Sequence, residues 1–149
     1  MILIDANLLI YAVDRDAPHH KVARQWVESV FSGSTTVGLS WVVILAFLRL
    51  TTRPGILRRP MPPEAALDFV DEWLSLPAVE VVLPGERHWR VFRNLVESAG
   101  TAGNLTSDAH LAALAIERGA TVFSADRDFG RFPGLKHVNP LVRAARAPA

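Results

Sequence analysis

Ile2, Leu3 and Ile4 form a short apolar run that meets Asp5, which reads as a buried strand ending in an acid. Helical spacing follows over about 7–13. From about Pro18 to Phe31, Ala23, Trp26, Val27 and Val30 share one face and Lys21, Arg24 and Glu28 the other, with Gly33 as the stop. Thr35 to Leu39 is the next strand candidate, and Ser40 is placed to cap a helix over 41–51. Val42–Leu48 is apolar nearly all round, which predicts burial in the core or between two copies of the chain. Pro54, Gly55, Pro60, Pro62 and Pro63 make 53–63 a loop. A helix over 63–75 opens on proline with Glu64 in its first turn. Val79–Leu83 reads as a strand, Pro84-Gly85 as a turn, and 86–99 as a helix. After a loop at 100–103, a helix runs over about 105–118 and closes on Gly119. Thr121–Phe123 and Leu135–Val138 are the last strands, and the Ala- and Arg-rich tail from about 141 to 149 is expected to fray.

Strands and helices alternate throughout. The pattern predicts one α/β domain over 1–149, with helices on both faces of a mostly parallel sheet. A chain of 149 residues that is 50% apolar builds a core without staples, and the absence of cysteine excludes disulfides and thiolate zinc sites. No apolar run reaches the ~18 residues of a membrane helix, and Met1 leads straight into the first strand without a signal peptide. The expected location is the cytoplasm. Net charge is only +1, yet 14 of the 16 basic residues are Arg. Arg grips phosphate or carboxylate through a planar fork; a GC-rich coding sequence accounts for the same bias.

The candidate chemistry lies in the acids. Asp5 ends the first strand and Asp126 follows the 121–123 strand, so both are placed at the carboxyl edge of the sheet, where open α/β folds bind ligands. Asp108 lies in the first turn of an otherwise apolar helix, and Asp128 stands two residues after Asp126. Each acid alone also reads as a cap or turn residue; the joint placement makes the site. Carboxylates brought together repel, so either some are protonated or a cation compensates. An oxygen-only ligand set selects a hard ion such as Mg²⁺ or Mn²⁺, which polarises a phosphodiester and activates water.

These residues also resemble a known family. Met1-Ile-Leu-Ile-Asp5-Ala-Asn7, Asn104-Leu-Thr106-Ser-Asp108-Ala-His110 and Thr121-Val-Phe-Ser124-Ala-Asp126-Arg-Asp128-Phe129 are similar, in order and spacing, to three motifs of PIN-domain ribonucleases. The set looks like a VapC-type toxin of a bacterial toxin–antitoxin pair. The resemblance implies a three-layer α/β/α PIN-like fold and a Mg²⁺-dependent endoribonuclease acting through a metal-activated water. It also implies a VapB-type antitoxin and a homodimer. By position, Asp5, Asp108 and Asp126 become the catalytic metal ligands, with Asp128 a weaker one. Asn7, Thr106 and Ser124 become groups that orient carboxylates or bound water.

One departure stands out. Many relatives carry Glu where this chain has Ala46, in Leu45-Ala46-Phe47-Leu48-Arg49. The acidic cluster is smaller, and one well-held Mg²⁺ is expected rather than two. Arg127, Arg131 and Arg53 are candidates for RNA phosphates. Trp41 reads as a buried aromatic at a helix start, or as a stacking platform for a base. Trp26, Trp73 and Trp89 read as core or interface, and His110 is expected to point away from the acids. Two other functions fit parts of the pattern. A PIN-like module that binds RNA or protein without cutting fits Ala46. A phosphatase with an Asp nucleophile fits Asp5, although Asn7 stands where that chemistry usually places a second acid.

Overall fold

The computed structural model describes residues 1–145, with side chains through Val142. The chain runs β1 (Ile2–Ile4), α1 (Ala6–Val13), α2 (His20–Phe31), β2 (Val37–Ser40), α3 (Trp41–Thr52), α4 (Pro63–Ser75), β3 (Val79–Val82), α5 (His88–Ala99), α6 (Thr106–Arg118), β4 (Thr121–Phe123), β5 (Lys136–Val138) and α7 (Pro140–Ala145). Short 3₁₀ turns at Gly103–Leu105 and Arg127–Arg131 complete it; the sequence pattern foretold neither.

The five strands are all parallel, in the order β3-β2-β1-β4-β5. The first two crossovers move one way across the sheet and the last two move the other way. Right-handed connections then set α1–α4 on one face and α5 and α6 on the other. The helix contacts agree: α1 packs on α2 and α3, and α3 on α4, while α5 packs on α6. The strand order reverses between β1 and β4, which opens a crevice at their carboxyl ends.

Local chemistry explains the boundaries. Ser40 caps α3, its hydroxyl accepting from the Val43 N–H at 3.4 Å. Gly100 and Gly119 take left-handed backbone at the ends of α5 and α6. Helix α2 starts at His20, not Pro18, and α5 at His88, because the residues before them form turns. The tail expected to fray from about 141 instead begins as α7, with Leu141 buried; 146–149 lie outside the described residues.

The core holds the sheet's Leu3, Ile4, Val37, Leu39 and Val122, all fully buried. Phe47 and Trp73 meet edge-on, with ring centroids 4.8 Å apart, and join α3 to α4. Two aromatics depart from the pattern. Trp41 and Trp89 are 51% and 67% exposed, and Leu45 on the apolar α3 is 57% exposed. That helix therefore offers solvent one apolar side.

Gly38 sits where β2 passes between Leu3 and Val82. A Cβ there would overlap both side chains. Gly38→Ala should cost about 1–3 kcal/mol by overpacking, read as a lower urea midpoint with an unchanged denaturant slope.

Candidate active site

Asp5 stands at the end of β1 and caps α1: its Oδ1 accepts from the Ala6 N–H at 2.8 Å. Its other oxygen accepts from the Ser124 hydroxyl at 2.7 Å and from Asn7 Nδ2 at 3.4 Å. Ser124 is fully buried just past β4. Its Oγ also accepts from Asn7 Nδ2 at 3.1 Å and from the Asp126 N–H at 3.0 Å. Asn7 closes the circuit, its Oδ1 accepting from the Ala125 N–H at 3.2 Å. A polar network thus ties the end of β1 to the end of β4, two adjacent parallel strands.

Asp126 and Asp128 follow in the 127–131 turn. Asp126 Oδ1 accepts from the Asp128 N–H at 2.9 Å, which folds the turn so that both carboxylates face one side. Phe129 and Phe132, both buried, anchor that turn to the core. Across the crevice Asp108 projects from the first turn of α6. That helix approaches closely because Ala109, Ala112, Ala113 and Ala115 are small and fully buried.

One carboxylate oxygen from each of Asp108, Asp126 and Asp128 lies within 4.8 Å of the others. Asp128, the weaker candidate by sequence, belongs to this tight group. Asp5 stands outside it, yet its charge is felt by Asp108. Burial, then the charges of Asp5, Asp126 and Asp128, push the Asp108 carboxyl up to about 7. Burial also raises Asp5, against the Ser124 hydroxyl and Ala6 N–H that favour its charged form; Asp126 adds to the rise.

Two expected residues are bonded elsewhere, and two more lie in the open. Thr106 does not orient a carboxylate: its hydroxyl donates to the Gly103 carbonyl at 2.8 Å and holds the entry to α6. Arg131 donates to the Ala99 carbonyl at 3.3 Å, at the end of α5. Arg53 and Arg127 are exposed, and Arg53 closes α3. Sequence reasoning also missed a polar chain on the α5–α6 side. His88 Nδ1 lies 3.1 Å from Glu117 Oε1, and His88 Nε2 lies 2.9 Å from His110 Nδ1. His110 and Glu117 are seven apart on one helix and so share a face, which was the available signal.

The donor chemistry fits a hard divalent cation: carboxylate oxygens only, from three residues, with a mutual repulsion that a cation would offset. The fold and this acidic crevice define an α/β nuclease-like class. Comparison with known proteins agrees: the PIN domain family matches residues 2–135. This chain belongs to the PIN domain family. It is 44% identical to the ribonuclease VapC37 of Mycobacterium tuberculosis over 94% of this chain and 97% of that one. It is 41% identical to VapC33 of the same species, over 95% and 99%. Solved structures share the fold at lower identity. VapBC2 of Rickettsia felis, bound to promoter DNA, has a TM-score of 0.68 at 21% identity, covering 93% of this chain and 98% of that one. M. tuberculosis VapC20, a toxin that cleaves the sarcin–ricin loop, has a TM-score of 0.64 at 20%, covering 91% and 99%.

A raised carboxyl pKa sets a sign. Folded Asp108 keeps its proton to about pH 7, whereas the unfolded chain releases it near the ordinary 3.8. The folded state binds more protons in that window, so metal-free stability falls as pH rises through it. The thermal midpoint in chelator should therefore decline from about pH 4 to about pH 7. Asp108→Asn should flatten the decline; identical slopes in the two proteins would show that Asp108 does not titrate there.

Proposed function

We propose that this protein is a divalent-metal-dependent endoribonuclease, the VapC-type toxin of a toxin–antitoxin pair. The convergence of Asp108, Asp126 and Asp128 carries the reading, and the ribonuclease names of relatives at 37–44% identity support it. Four acids in one crevice repel a phosphodiester unless a cation intervenes. Mg²⁺ is the ion we assign, with Mn²⁺ as substitute.

Asp108, Asp126 and Asp128 would hold the ion, with Asp5 close enough for its charge to be felt at Asp108. Bound there, the ion supplies charge neutralisation at the phosphate and makes water more acidic. Ser124 and Asn7 fix the rotamer of Asp5 and donate to its carboxylate, which favours its charged form against the burial that raises it. The Asp126 N–H on Ser124 locks the opposite wall to the same hydroxyl. Exposed Arg127 and Arg53 contact RNA phosphates; Arg131 joins them with what its bond to Ala99 leaves free. An Asp5 nucleophile is disfavoured, since both oxygens of Asp5 already accept hydrogen bonds.

Two surfaces suit the partners. A groove of about 610 Å³ lies between α1, α2 and α4, with Phe31, Phe69 and Trp73 among its apolar lining and Arg15, Arg24 and Glu72 among its charged lining. We assign it to an amphipathic segment of a VapB-type antitoxin. Exposed Trp41 and Leu45 share one side of α3. Exposed Leu83 follows Val82, the sheet partner of Ser40, just as Trp41 follows Ser40. We assign that apolar patch to a second copy of the chain.

A competing reading, a PIN-like module that binds without cutting, draws on Ala46 in α3, where the acid of many relatives is missing. Antitoxin-free protein should cleave RNA with Mg²⁺ or Mn²⁺ and stop in chelator. Asp108→Asn and Asp126→Asn should each lower the rate at least about 100-fold with RNA still bound; cleavage-site sequencing after induction reads the same loss in cells. RNA bound tightly but never cut by the wild type would establish the competing reading. Asp5→Asn is a less neutral probe than charge repulsion alone suggests. Its amide would set a donor against the Ser124 hydroxyl, so some loss of stability accompanies its loss of activity.

A further inference from the structure

Helix α5 is held to the fold mainly through its beginning and its packing on α6. Of its residues only Leu95 is fully buried, and its packing is on α6. Its start has no side-chain cap. Instead the whole β3–α5 connection is tied to α6 by polar contacts. The largely buried Glu117 carboxylate accepts from the Gly85 N–H at 3.2 Å and meets His88 Nδ1 at 3.1 Å. His88 passes the contact to His110 at 2.9 Å. Arg118 donates to the Leu83 carbonyl at 3.1 Å. Gly85 lets the carboxylate come close: a Cβ there would lie 2.5 Å from Glu117 Oε2 and push that side chain aside.

The other end of α5 touches the site. Its Ala99 carbonyl accepts from Arg131, which closes the turn bearing Asp126 and Asp128. From Gly100 the chain leads through a short exposed loop into the first turn of α6, where Asp108 stands. Both walls of the crevice therefore meet the far end of a helix that is fixed at its near end by Glu117 and His88. Helix α6 needs no such help, since six of its residues are buried.

We propose that Glu117, acting through His88, is a positioning residue for the acid site: it seats α5 on α6, and the seated α5 steadies the 100–106 segment and the Arg127–Arg131 turn that carry the acids. The idea rests on the metal-site reading above, but its first test needs no metal. Amide hydrogen exchange is compared in wild type, Glu117→Ala, Glu117→Gln and Val27→Ala, the last a core truncation on α2, on the other face of the sheet. Glu117→Ala should speed exchange about tenfold over 84–99 and also severalfold over 100–106 and 127–131. In Glu117→Gln, which keeps an acceptor oxygen, exchange should stay near wild type. Mn²⁺ affinity, read from the free-ion electron paramagnetic resonance signal, should fall about tenfold in Glu117→Ala and stay unchanged in Val27→Ala. Where Glu117→Ala does not fold, His88→Ala is read by the same criteria. Faster exchange confined to 84–99, with Mn²⁺ affinity matching Val27→Ala, overturns the proposal. Wild type that binds no Mn²⁺ would sink the metal-site reading, and the exchange comparison would still decide the role of Glu117.

Discussion

Negative charge crowded at the carboxyl rim of a parallel sheet is the constraint on which the rest of this structure depends. Asp108, Asp126 and Asp128 bring oxygens within 4.8 Å of one another, and Asp5 adds its field from the next strand. A chain left to itself would spread these groups apart. Here each is fixed by backbone or buried partners: Asp5 by its cap on α1 and the Ser124 hydroxyl, Asp126 by its turn and the same hydroxyl, Asp108 by a helix packed through alanines. The scaffold holds the repulsion in place instead of relaxing it, which is how a preorganised cation site is made.

Ser124 is the pivot of that arrangement. One fully buried hydroxyl donates to Asp5 and accepts from Asn7 and from the Asp126 backbone. It thereby couples the two strands at the point where the sheet order reverses. The protein spends stability on these acids, and the apolar core beneath them offsets the cost: Leu3, Ile4 and Val122 are fully buried directly below the rim.

Much of this was legible in the sequence, for physical reasons. Hydrophobic runs meeting Asp5 and preceding Asp126 mark strand ends, and Ser40, Gly100 and Gly119 punctuate helices by well-understood capping chemistry. Asn7 and Ser124, singled out by the resemblance, hydrogen-bond to Asp5 and to each other. Other features are tertiary and leave no local trace. Thr106 turned back to Gly103 because a 3₁₀ turn precedes α6. Asp128 joined the tight group because its own turn curls. Trp41 and Leu45, apolar by pattern, proved exposed, since periodicity records hydrophobicity and not which neighbour covers it. The Glu117–His88–His110 chain spans two helices and appears only once they pack.

On the proposed reading, the crevice is a cation site built for RNA hydrolysis. The most direct measurement is anomalous diffraction from crystals soaked in Mn²⁺ near neutral pH, in wild type and in Asp108→Asn. One strong peak is expected among the carboxylates of Asp108, Asp126 and Asp128 in the wild type, lost or much weakened in the variant. No peak in the crevice, or a peak elsewhere that survives Asp108→Asn, would contradict that reading.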